Sequence, residues 1–161
     1  MSTARETLHD FSIEYVKVLA EVFGWRVVIA PGQKPGPDVV IEHVIDSDGV
    51  EKVDAVMFIE SEVGHDIGSA REYFNQLSRR LKTLVKQYRD MGVNYFSLVV
   101  ITNAPRRLTN YLREQRKELE EKLDFKLVEG FTVFIVPVLL AKEVLPAVFI
   151  RALESIARVT P

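Results

Sequence analysis

The tetrapeptide Asp46-Ser47-Asp48-Gly49 is the point of this chain with the least conformational choice. Asp-Gly between apolar, β-branched runs is a strong short-range hairpin signal, because both central positions of a tight hairpin turn need positive φ. Before it stands Val39-Val40-Ile41, opened by Pro37-Asp38; after it stands Ala55-Val56-Met57-Phe58-Ile59, closed by Glu60-Ser61-Glu62. Pairing the two runs returns the end of the second strand to the beginning of the first. Asp38 is thereby expected beside Glu60, although twenty-two positions separate them. Side chains alternate along a strand, so Glu60 and Glu62 share a face roughly 6–7 Å apart. Three carboxylates converging at a strand end make an oxygen-rich pocket for a hard divalent cation, Mg2+ or Mn2+.

Helical and strand periodicity organise the remainder. Leu8, Phe11, Tyr15, Val18, Leu19 and Val22 recur at helical spacing from about Ala4 to Phe23, with Gly24 as the stop and Glu14 at the edge of the stripe. Trp25 to Ala30 reads as a short strand. Pro31 to Pro37 then forms a loop that is neither helix nor interior strand, with Gln33 and Lys34 as its polar members. Ser69 and Glu72 form a capping-box pattern before a helix that buries Tyr73, Leu77, Leu81, Leu84, Val85 and Tyr88. Gln76, Arg80 and Gln87 border that stripe, while Arg71, Arg79, Lys82, Lys86 and Arg89 face water. Tyr95 to Ile101 is a central strand covered on both faces. A helix from Arg106 to Leu123, with Leu108, Leu112, Leu119 and Leu123 inward, precedes a buried strand from Phe131 to Val136. The last helical stretch, Leu139 to Val159, is apolar through Pro146-Ala147-Val148-Phe149-Ile150, which suggests a dimer face, and Pro146 is expected to kink or divide it. The order α-β-β-β-α-β-α-β-α implies an α/β fold, a mixed sheet with helices on both faces. One domain spanning residues 1–161 is expected from the length.

Charge is distributed unevenly. Residues 1–70 hold five Lys/Arg against thirteen Asp/Glu, a net of −8, and residues 71–117 hold eleven against three, a net of +8. An acidic block able to hold metal thus precedes a basic block able to hold phosphate. The chain has no cysteine, which removes disulfide and thiolate-metal chemistry and suits a reducing cytoplasm. Its charged first residues do not read as a secretory signal, and Pro137, Lys142-Glu143 and Pro146 break the one long apolar stretch, so no membrane partner is expected.

Ile13-Glu14 early in a first helix, Gly24-Trp25 at the first strand, Pro37-Asp38 and Ile59-Glu60-Ser61-Glu62 together resemble the PD-(D/E)XK nuclease superfamily, most closely the archaeal Holliday-junction resolvases. The likeness covers residues 8–90. It implies a restriction-endonuclease-like sheet and a metal-dependent DNA endonuclease acting on duplex or branched DNA, commonly as a homodimer. Carried over position by position, Asp38 and Glu60 resemble the metal-binding acids and Glu14 the first-helix glutamate that reaches the ion. Glu62 stands where the family usually has lysine, and its implied roles are general base or second-ion ligand. Lys34, Lys52 and Arg80 are the candidate substitutes for the missing ammonium. Gln76 matches a helix glutamine of several members, but Arg80 occupies the spacing of its usual tyrosine. Gln33, Lys34, Arg71, Gln76, Arg79, Arg80, Lys82 and Lys86 are the implied DNA contacts. The competing expectation is a catalytically degenerate nuclease-fold domain that binds DNA or serves assembly, and Glu62 is its main support.

Other chemistries lack their residues. There is no G-x-G-x-x-G after a strand and no phosphate-binding G-x-x-x-x-G-K-[ST]. His9, His43 and His65 lack zinc-ligand spacing, and Ser12, Ser61 and Ser69 lack a recognisable base partner.

Overall fold

A computed structural model describes residues 4–28, 37–62, 70–123 and 131–159, with side chains at 11–28, 37–62, 70–114 and 132–157. The proline-rich loop with Gln33 and Lys34, the Ser69 cap, His65, and the side chains of Leu8, His9, Leu119 and Leu123 lie outside the described residues. The hairpin is longer than its apolar cores: β2 is Val39–Ser47 and β3 is Val50–Glu62. Asp48 and Gly49 both take positive φ, 55° and 81°, and the Gly49 N–H donates to Asp46 Oδ1 at 3.0 Å. Two successive left-handed residues match the twist of the flanking strands, which is why the turn closes here. A bulge between His43 and Val44 leaves Asp54 out of the pairing, and Asp54 Oδ1 lies 2.6 Å from His43 Nδ1.

Strand β1, Arg26–Val28, pairs antiparallel with β2; β4, Tyr95–Thr102, and β5, Phe131–Pro137, continue the sheet parallel to β3. The spatial order is β1-β2-β3-β4-β5. All eight residues of β4 are buried, as a strand covered on both faces requires. Helices α1, Ala4–Val22, and α4, Ala141–Val159, pack on the face carrying Ile41, Met57, Ile59 and Val99. Helices α2, Ala70–Asp90, and α3, Pro105–Leu123, cover the opposite face through Val40, Phe58, Phe96 and Leu98. The molecule is therefore a mixed five-stranded α/β sheet with helices on both sides. Among the described residues no helix is long and apolar enough to cross a membrane.

Two sequence expectations are corrected. The buried side of α1 is Ser12, Val16 and Ala20, whereas Phe11, Val18 and Val22 are more than half exposed. The small side chains, four apart, let the helix lie close on the sheet. Phe11 instead stacks on Tyr15 at 6.4 Å and lies under the Lys142 ammonium at 5.6 Å. In α4, Leu145, Val148 and Phe149 are buried in this chain's own core, while Ala147 and Ile150 are exposed. Pro146 leaves α4 a single helix after a short turn, Val138–Leu140. Proline has no N–H for the Lys142 carbonyl four residues back. The Tyr15 hydroxyl of α1 donates to that carbonyl at 3.1 Å, replacing the missing donor and tying α1 to α4.

Candidate active site

Hairpin register builds the site. Val39 pairs with Ile59, so Asp38, just before β2, stands opposite Glu60. The Ser61 N–H donates to Asp38 Oδ2 at 2.8 Å, which locks the two strand ends together. Val40 and Phe58 face α2, so Asp38, Glu60 and Glu62, two residues removed along their strands, face it too. From α2, Arg80 reaches Glu60: its Nη1 lies 3.2 Å from Glu60 Oε1. Tyr73, seven residues earlier and therefore on the same helix side, is buried beneath the cluster.

Glu60 is only 2% exposed. Burial pushes its carboxyl from an ordinary 4.5 up to about 9; the Asp38 charge adds to this, Arg80 opposes it, and a hydrogen bond with Asp38 and the charge of Glu62 act upward. Arg80 is an ion-pair neighbour without an aligned hydrogen bond to Glu60 Oε1, so burial and the second carboxylate prevail over it. A carboxyl pushed up to about 9 favours its protonated form at neutral pH. Burial and then the Glu60 charge push the Tyr73 phenol well above its usual range.

Among the described residues, Glu60 Oε1, the Arg80 Nε and the Tyr73 hydroxyl of this cluster are buried without a hydrogen bond, as are side-chain atoms of Trp25, Ser61, Tyr95 and Ser97. Buried polar atoms are normally satisfied, and exceptions concentrate where water, an ion or a ligand completes the bonding. The donor set, two facing carboxylates with a third on the same side, is the chemistry of a hard divalent cation. Among the described residues no three His, Asp or Glu side chains are grouped so that they could hold one metal ion, so the expected convergence of three carboxylates is not seen. Mg2+ is commonly held by one or two carboxylates, with water and substrate phosphate filling the shell. Asp38 and Glu60 fit that pattern.

Comparison with protein-family models, curated proteins and solved structures finds no match.

The remaining expected site residues fall in different places. Glu14 sits on α1, on the opposite face of the sheet; its side chain is 70% exposed and accepts from Lys17 Nζ at 3.3 Å. The misplaced α1 stripe explains this: Glu14 does border Phe11 and Val18, but that side faces solvent. Gln76 is exposed on α2, as are Arg71, Arg79, Lys82 and Lys86. Of the candidate cations Lys34, Lys52 and Arg80, Arg80 reaches Glu60. Lys52 pairs with Ile45 near the hairpin turn, at the other end of β3, and Lys34 lies outside the described residues. Tyr73 was legible only as core. Its seven-residue spacing to Arg80 was the available signal that both share one helix face.

Proposed function

We propose that this chain is a metal-dependent DNA endonuclease whose site is centred on Asp38 and Glu60. The observation that carries the reading is the crowding of these two carboxylates beside Arg80, in surroundings that push Glu60 up to about 9. A buried carboxyl pushed far from its ordinary value beside a second acid and a cation is the arrangement found where groups are held for chemistry. A bound divalent cation would lower the pKa of an attacking water and neutralise charge on the phosphoryl transition state. Asp38 and Glu60 would hold that ion, with Asp38 oriented by the Ser61 N–H. In this reading Arg80, beside Glu60, would supply from the helix the cation that the nuclease superfamily usually supplies from a strand lysine. Glu62 is the candidate base. Arg71, Arg79, Lys82 and Lys86, exposed on the same helix, provide phosphate contacts without sequence preference, which makes binding strongly salt-dependent. A homodimer would present two sites to one duplex or junction.

The test is nicking of supercoiled plasmid in Mg2+ or Mn2+. Asp38→Ala should lose at least about a hundredfold in rate, and Arg80→Ala about tenfold or more. Equal nicking by wild type and Asp38→Ala refutes the assignment. Glu62 in place of lysine favours a second reading, a nuclease-like domain that binds DNA without cutting it. Salt-sensitive DNA binding without metal-dependent cleavage, and no Mn2+ heat in titration calorimetry, would select it.

A further inference from the structure

Strand β5 ends the sheet, and among the described residues it pairs with β4 alone. A cavity of about 670 Å³ runs along it and touches every residue from Thr132 to Val136. Alternate residues of a strand point to opposite faces, so contact with five in succession means that the cavity reaches the strand's edge. Helix α3 overhangs that edge from one layer and α4 from the other, contributing Leu112 and Val148 as apolar walls. Natural sheets blunt open edges with charged residues, yet Phe131–Pro137 carries none. Among the described residues the charges lining the groove are Arg113 and Arg151, both exposed, and no acidic side chain lines it.

We propose that β5 accepts an extended segment of a partner protein as a sixth strand, an apolar stretch carrying two adjacent acidic side chains, one toward each face of the sheet, that meet Arg113 on α3 and Arg151 on α4. Backbone pairing gives such a complex its affinity, and pockets for alternate side chains give its selectivity. Charge complementarity selects this occupant over a second copy. Antiparallel β5–β5 pairing would bring four arginines together against an uncharged strand. The apolar floor argues equally against a phosphodiester backbone, which cannot use it.

A fluorescein-labelled peptide in which valines and threonines flank two adjacent glutamates, one for each face, tests this by anisotropy with the full chain. Saturable binding is expected, weakened about tenfold or more when lysine replaces glutamate and again in the Arg113→Glu/Arg151→Glu variant. N-methylation of every second residue should abolish binding in one register of the peptide and spare it in the other, which only edge pairing explains. Both arginines are exposed, so an unchanged melting profile shows that the variant is folded, and the peptide controls use wild-type protein in any case. No binding up to about 1 mM overturns the proposal. So does indifference to N-methylation, displacement by duplex DNA, or a self-association in sedimentation that the double variant removes. None of these readouts involves Asp38 or a metal, so their outcome is independent of the hydrolytic assignment.

Discussion

Replacing Glu60 with glutamine should stabilise the protein, and by more as the pH rises. In the folded chain the carboxyl is pushed from an ordinary 4.5 up to about 9. The unfolded chain releases its proton near the ordinary value, so between these limits the unfolded state is favoured as pH increases. The stability associated with protonated Glu60 is fully present below 4.5 and is lost progressively up to about 9. Each pH unit across that window is worth about 1.4 kcal/mol, so wild type should lose about 4 kcal/mol relative to Glu60→Gln between pH 5 and pH 8. Any fixed effect of the amide on packing cancels in this difference, as do the titrations of groups that do not interact with Glu60. Urea denaturation at successive pH values measures it. Parallel stability curves for the two proteins would mean that Glu60 titrates as an ordinary surface acid, and the crowding with Asp38 would then carry no argument. Mg2+ adds a second arm. An ion held by ionised Glu60 should narrow the gap at pH 8 by stabilising wild type and not the glutamine variant, and chelation should restore the gap.

Tyr15→Phe removes the donor that replaces Pro146's missing N–H at the Lys142 carbonyl, and should cost about 0.5–1 kcal/mol in urea denaturation, the site being open to water. A buried Glu42 accepts from Arg26 Nη2 at 2.6 Å, Arg26 Nε at 3.1 Å and the Tyr88 hydroxyl at 2.8 Å. Arg26→Ala should therefore cost about 2 kcal/mol, moderated by the half-exposed guanidinium, and adding Glu42→Gln should recover part of it. Gly49→Val forces a β-branched residue to φ 81° and should cost about 1–2 kcal/mol, read as a lower thermal midpoint.

The legible parts of this protein are those set by neighbours in sequence. Asp48-Gly49 specified the turn, and the turn plus the two-residue alternation of strands brought Asp38 opposite Glu60 and put Glu62 on the same face. The uninterrupted apolar run of Tyr95–Ile101 announced a strand buried on both sides, and the element order announced the mixed α/β sheet. Helix faces were less legible. In α2 a wide apolar stripe fixed the orientation, whereas α1 is apolar on more than one side and its largest residues pointed to the wrong one. Which side such a helix buries depends on how closely its backbone can approach the sheet, and that favours Ser12, Val16 and Ala20 over Phe11 and Val18.

Local sequence thus determined the hairpin, the sheet and the meeting of two acids, because turn chemistry and strand alternation act over a few residues. Only tertiary packing decided which cation stands beside those acids, why Glu14 points away from them, and how far Glu60 is pushed from its ordinary behaviour. Those outcomes depend on the depth and angle at which α1 and α2 seat on opposite faces of one sheet, a property of the whole assembled core and of no single stretch of chain.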